Sequence, residues 1–217
     1  MTTQTQTQAQ ANTDFYSVLK DRRSVRHYDP NFKIPQEEIQ EILELATKAP
    51  SSSNTQSWRF LVVTDQELKK QLLPIANNQQ QVVDSSAVIV ILGDLEMYKK
   101  SEHINQLAVD AGYMAAEFAK QFTENSVKLY SSLPKERLHE VAVFDSGLVA
   151  MQIMLIAKAK GYDTVPMGGY DREKLKQFFN IPAHLAPTII LPIGKAAVEG
   201  RPTSRLPISE ITSWNKI

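Results

Sequence analysis

Residues 145–160 read DSGLVAMQIMLIAKAK, and this stretch decides the fold. Leu148, Val149, Met151, Ile153, Met154, Leu155 and Ile156 put apolar groups almost all round a helix, which places that helix at the centre of a core. Gly161 follows Lys160 as a natural stop. A buried helix needs a layer to lie on, and short β-branched apolar runs at 59–64 (RFLVVT) and 87–92 (AVIVIL) suit buried strands. Residues 188–193 supply another. Around them, 35–49 (PQEEIQEILELATKA) predicts a helix: Pro35 suits the first turn, acids cluster near the start, and Ile39, Ile42, Leu43 and Ala46 share a face.

Further helices are expected over 66–76, over 102–122 and over 171–179. The second of these would put Leu107, Ala111, Met114, Ala115, Phe118 and Phe122 on its inner side. Helices and strands alternate unevenly, which predicts layers of helix around a sheet. No repeat or linker divides the chain, so one domain is expected over 13–217. The tail after Gly194 differs. Breaks around Gly200–Pro202 and Pro207 separate apolar anchors at Leu206, Ile208, Ile211, Trp214 and Ile217. Such an arm, from about 195 to 217, either docks on another subunit or packs back on its own domain.

Composition excludes several classes of function. Twenty-four basic and twenty-four acidic side chains cancel, which leaves no electrostatic footprint for nucleic acid or an anionic membrane. No apolar run reaches the roughly 20 residues of a bilayer span. The first residues, MTTQTQTQAQANT, are polar and repetitive, unlike a signal peptide. They predict a disordered leader over 1–12, with Thr13 or Asp14 capping the first helix, and a cytoplasmic protein. Zero cysteines rule out thiol nucleophiles, thiolate metal sites and cysteine-held iron–sulfur clusters. The histidines are scattered, and no metal site is expected. Redox chemistry would have to come from a bound organic cofactor or a metal held by other ligands.

Four segments could carry chemistry. Arg22, Arg23 and Arg26 flank Ser24 and Val25, and guanidinium groups so close together repel unless an anion gathers them. Residues 50–58 (PSSSNTQSW) offer uncharged donors and acceptors in series, as a heteroaromatic ring edge or ribityl chain needs. In 166–170 (PMGGY), two of only eight glycines are adjacent, so backbone N–H groups can approach a flat ligand. Arg201 and Arg205, with Thr203 and Ser204, could complete an anion site. Each alone is equally the pattern of a solvated run or an ordinary turn.

Their order is more specific. RRSVR, PSSSNTQSW, NNQQQ, PMGGY and SRLP, met in that order from Phe15 to about Pro207, resemble the FMN-dependent nitroreductase family. The resemblance implies an α+β fold in which helices flank a central mixed, largely antiparallel sheet as a three-layer sandwich. It also implies an intertwined homodimer with FMN at the interface and NADH or NADPH as electron donor. Carried over residue by residue, it assigns Arg22, Ser24 and Arg205 to the phosphate, with Arg23 beside it. Arg26 would stand near the N1/O2 edge of the flavin, where a cation stabilises the charge left by reduction. Pro50, Ser51, Ser52 and Asn54, supported by Gln56, would come from the second subunit. Asn78 would contact the ring, Gln81 would lie near its N1/O2 edge, Pro166 and Met167 would line one face, and Gly168 and Gly169 would donate toward N5 and O4.

Some members have a lysine where Gln81 stands, a glutamate in place of Gly168, a basic residue in place of Thr203, and proline where this chain has Ser57. The implied activity is ping-pong reduction of a nitroaromatic, a quinone or another electron-poor small molecule, with the flavin N5 rather than a side chain carrying the hydride. Three alternatives stay open: another reaction of the same superfamily, such as dehalogenation or flavin fragmentation; a flavin-binding regulator or reservoir without turnover; and an interaction protein without flavin. Tyr113, Phe118, Phe122 and Tyr130 fall where the family varies, and core packing is expected of them ahead of a substrate wall.

Overall fold

The computed structural model describes residues 14–217. The expected leader and Thr13 lie outside the described residues. Asp14 caps α1 (Phe15–Asp21), its carboxylate accepting from the Ser17 amide at 3.0 Å. There follow α2 (Gln36–Ala46), β1 (Trp58–Val63), α3 (Gln66–Ile75), α4 (Gln81–Asp84) and β2 (Ala87–Asp94). The second half carries α5 (Ser101–Asp110), α6 (Ala116–Ser131), α7 (Lys135–Ala159), β3 (Asp163–Thr164), α8 (Arg172–Phe178) and β4 (Leu185–Gly194).

The strands form one sheet in the order β1-β2-β4-β3, every neighbouring pair antiparallel. Among the described residues the one parallel link is a bridge from Ser24 to Thr164 at the sheet's edge. All eight residues of β2 are buried, and their alternation sorts them onto two faces. Ala87, Ile89 and Ile91 join Ile42 of α2 and Val149 and Ile153 of α7. Val88, Val90 and Leu92 face Leu72 and Ile75 of α3 and Leu175 of α8. Three layers result, with the sheet in the middle.

The central helix differs from expectation in two ways. It begins ten residues earlier, at Lys135, with Pro134 as its N-cap. It is also buried on one side only: Val143 (43%), Phe144 (63%) and Met151 (38%) are exposed in the single chain. By length and hydropathy α7 is long and apolar enough to cross a membrane, yet Val149, Ile153 and Ala157 are wholly inside the core. Gly161 ends it as expected, at φ 81°, with Tyr162 N–H donating back to Ala157 and Gly161 N–H to Lys158.

The expected helix over 102–122 is two helices. Gly112 (φ 73°) closes α5 with the same six-to-one bond, from Tyr113 N–H to the Ala108 carbonyl, and the chain re-enters a helix at Ala116. The proposed inner side fails with it. Leu107 is 55% exposed, Phe118 59% and Tyr113 87%, whereas Tyr130 is buried. Five residues, 111–115, separate the two helices, yet the apolar spacing of the sequence runs on across them. The arm beyond Gly200 is little covered by its own chain: every residue from 201 to 217 is exposed, Trp214 at 86%.

Candidate functional site

After α1 the chain runs extended along the open edge of the sheet. Val25 N–H donates to Thr164 at 3.1 Å, Asp29 N–H to Lys195 at 2.9 Å, and Tyr28 bridges Ala196. Val25 and Tyr28 point into the core. Burial keeps the Tyr28 phenol protonated far above its ordinary range; the Asp163 carboxylate adds to this and Arg26 opposes it. The Tyr28 hydroxyl donates to the Pro192 carbonyl at 3.2 Å. With those two residues anchored, the arginines between and before them stay at the surface.

Arg22, Arg23 and Ser24 meet the start of the arm in a cleft of about 270 Å³, together with Lys20, Arg201, Thr203 and Arg205. Five cations line it and no carboxylate does. Among the described residues none of the five is ion-paired to an acid. Arg23 folds back on the end of α1, donating to the Lys20 and Arg22 carbonyls. Arg205 is held by its own loop, donating to Thr203 Oγ1 at 2.6 Å and the Ser204 carbonyl at 2.7 Å. A larger crevice of about 610 Å³ lies on the other side of Arg23 and Pro202, but its charges are mixed: Asp21, Asp163 and Glu199 face Lys158 and Lys195, and Lys158 pairs with Asp163 at 3.1 Å. The smaller cleft is therefore the one whose lining suits an anion. Arg26 is exposed and does not line it.

A second group forms where α3 ends. Asn77 and Asn78 are both left-handed (φ 56°), and the Asn78 amide closes the helix on the Leu73 carbonyl. This turns residues 77–81 toward 166–170. Gln79 Nε2 donates to the Gly169 carbonyl at 2.9 Å, and Gln81 Nε2 to Gln79 Oε1 at 3.1 Å. Gln81 is buried and touches Met167 Sδ, while Met167 is clamped to Ile190 of β4 by paired backbone bonds. Both side chains thus face inward, whereas Pro166, Gly168, Gly169 and Asn78 are exposed. Nothing stands within 4 Å of where a Gly168 Cβ would be, so the paired-glycine turn borders open space. Gln79, which nothing in the sequence singled out beyond its place in NNQQQ, ties the two loops.

The third group stands apart. Residues 50–57 enter β1 at the end where Trp58 pairs with Gly93, which lies beside Ala186. Thr164, beside Ser24, pairs with Ile193 at the opposite end and the opposite edge. Seven residues along β4 separate those ends, about 23 Å, and three strand spacings, about 14 Å, separate the edges. The helix agrees: Ser52 is bonded to Asp145, and from Asp145 to Ala159 α7 rises about 21 Å before turning into β3. Within one chain the arginine cleft and the serine–asparagine loop occupy diagonal corners. Asp145 itself, fully buried, escaped the sequence reading; a lone acid in the apolar run VAVFDSGLVAMQIML was the available signal.

The model of the family described as Nitroreductase family matches residues 19–195, spanning both loops and the arginine segment. The chain belongs to the nitroreductase family. It is 46% identical to the Bacillus subtilis (strain 168) protein named "Putative NAD(P)H nitroreductase YdgI", over 93% of this chain and 97% of that one. It is 34% identical to the CLA biosynthesis enone reductase of Lactiplantibacillus plantarum, over 89% and 91% of the two chains. Among solved structures, "a putative nitroreductase in complex with FMN" from Exiguobacterium sibiricum 255-15 superposes with a TM-score of 0.92 at 44% identity, over 95% of this chain and all of that one. The nitroreductase fold explains the α+β, three-layer, largely antiparallel arrangement found here.

Proposed function

We propose that this nitroreductase-family protein is an FMN-dependent NAD(P)H oxidoreductase, a cytoplasmic homodimer that reduces nitroaromatics, quinones or similar electron-poor small molecules. One observation carries the reading: a cleft lined by five cations, none ion-paired among the described residues, and two hydroxyls, in a chain whose overall charge is zero. Such a donor set fits a phosphate monoester. The open surface at Gly168, with Gly169 and Asn78 exposed, fits the edge of a flat ring. Bound there, FMN would supply the redox chemistry, taking hydride from NADH or NADPH and giving it to the acceptor.

The chain's own residues hold and orient. Arg22, Ser24 and Arg205 would grip the phosphate, with Arg23 bracing the end of α1 beneath it. Arg26 would face the N1/O2 edge and favour the reduced form. Gln81 is a neutral, inward-turned amide, so no cation at that position shares the task. Pro166 and the backbone of Met167, Gly168 and Gly169 would border the ring. Homodimerisation is supported by the diagonal separation of the two halves of the site, since Pro50, Ser51, Ser52, Asn54 and Gln56 reach the ring only from a second copy. It is supported too by the exposed apolar face of α7 and by the arm's uncovered Leu206, Ile208, Ile211 and Trp214. These give a second copy something to cover.

The test is anaerobic titration of the purified protein with NADH and with NADPH while the visible flavin absorbance is followed. Bleaching by either, then recovery on adding menadione or nitrofurazone, is the expected result. A yellow protein that neither nucleotide bleaches would be a flavin reservoir, and a colourless one that rejects added FMN would end the proposal.

A further inference from the structure

The loop at 51–57 is held in an improbable shape by residues outside it. Ser53 (φ 48°), Asn54 (φ 53°) and Gln56 (φ 47°) are all left-handed, and none is glycine. L-residues rarely enter this region, and three within four positions do not stay there without external support. The supports come from two helices. From α7, Asp145 Oδ1 accepts from the Ser52 amide at 2.9 Å and the Ser52 hydroxyl at 3.0 Å, and Oδ2 accepts from the Ser57 hydroxyl at 2.9 Å. From α6, the buried Tyr130 hydroxyl donates to Ser53 Oγ at 3.0 Å. Asp145 is fully buried and meets no cation among the described residues. Its desolvation is offset by the three hydrogen bonds from the loop.

From this geometry we infer that Asp145 and Tyr130 are positioning residues, which preform the loop so that it presents Asn54 to the flavin ring held by the other subunit. The inference rests on the proposed FMN reading. It also changes the roles within the loop. The Ser52 hydroxyl is spent on Asp145, the Ser51 hydroxyl accepts from the Gln56 amide at 3.0 Å, and Ser53 accepts from Tyr130. Asn54 is exposed, and among the described residues its side chain receives one long bond, from Gln56 Nε2 to its Oδ1 at 3.3 Å, so its Nδ2 is the loop's uncommitted amide donor. A loop already fixed loses little entropy on meeting its ligand, and this is how a residue that never touches the ring would strengthen its binding. Tyr130 also ties this corner to the α5–α6 hairpin, where Leu107, Tyr113 and Phe118 are exposed.

The experiment uses the full-length protein stripped of FMN and retitrated, for wild type, Asp145→Ala, Asp145→Asn, Ser57→Ala and Tyr130→Phe. Flavin fluorescence quenching gives the dissociation constant, and visible circular dichroism of the bound flavin reports its surroundings. Asp145→Ala is expected to weaken FMN roughly 10-fold, the loss of about one charge-assisted bond, and to change the dichroism. Asp145→Asn should recover most of both, because one amide oxygen can keep the two Ser52 bonds. Tyr130→Phe and Ser57→Ala should each weaken FMN a few-fold, and they carry the test if Asp145→Ala yields no folded protein. Folded variants with the wild-type dissociation constant and dichroism, whatever their melting temperatures, would show a purely structural role and overturn the inference. A wild type that binds no FMN would overturn the proposed function itself, a distinguishable outcome.

Discussion

Gly200 lies directly against Arg23: a Cβ added to Gly200 would overlap the Arg23 Cβ and stand 3.2 Å from the Ser24 carbonyl oxygen. The first turn of the arm is thereby pressed onto the arginine segment, and this contact brings Arg201 and Arg205 to the same cleft as Arg22 and Arg23 although about 180 residues separate them in sequence.

Gly200→Ala should therefore open the cleft. Overpacking of this kind costs about 1–3 kcal/mol, read as a lowered urea midpoint, and FMN titration should show weaker binding in the same variant. Unchanged values for both would mean that the arm is free to shift without consequence.

Arg205→Ala removes one guanidinium from the cleft, with its bonds to Thr203 Oγ1 and the Ser204 carbonyl. The expected loss is about 1.5–3 kcal/mol of charge-assisted contact, or roughly 10- to 150-fold in FMN affinity. An unaltered dissociation constant would remove Arg205 from the phosphate site.

Trp214→Ala probes the arm. An aromatic 86% exposed in the single chain should be an anchor in the proposed dimer, and such anchors are worth at least about 2 kcal/mol. Sedimentation velocity over a dilution series should show the dimer of the variant dissociating at roughly 30-fold higher concentration; coincident profiles would leave the arm without a role in assembly.

Lys69 makes stability depend on pH. Its side chain is wholly buried, its ammonium donating to the Val83 carbonyl at 3.1 Å and to the Ser85 carbonyl. Burial, aided by Lys33 and opposed by Asp84 and Asp65, lowers its pKa to about 8 from 10.5. Between those values the unfolded chain holds more protons than the folded one, so stability rises with pH across that window; below pH 8 both forms are charged and the penalty is constant. At about 1.4 kcal/mol per unit, the gain between pH 8 and 10 is about 2–3 kcal/mol. Chemical denaturation at stepped pH should find this rise in the wild type and a flatter profile in Lys69→Met. Equal slopes would refute the assignment.

The helices at 36–46, 66–75 and 172–178 were legible because each buries one face and so carries a period of 3.6, and the strand runs because a sheet covered on both faces leaves unbroken β-branched apolar stretches. The helix over 102–122 was misread for the same reason: periodicity continued in phase across Gly112, and only the left-handed cap, a local signal, marked the break. Of the candidate site, the arginines, the paired glycines and the PSSSNTQSW loop were visible as composition. Asp145, Gln79 and Tyr130 were not, because each acts through a partner 77 to 93 positions away, and no local pattern encodes such a contact.

The residues alone determined the layers, the family and the chemical character of each segment, since these follow from side-chain type and local spacing. Which segments meet was decided only by the tertiary structure. The antiparallel register puts Ser24 beside Thr164 and sends the loop before Trp58 to the opposite corner. The packing of Gly200 on Arg23 gathers five like charges that, on an extended chain, would move apart. Bringing distant charges together costs electrostatic energy, and that cost is met by backbone hydrogen bonds and core burial spread over the whole fold, a property that no short stretch of sequence contains.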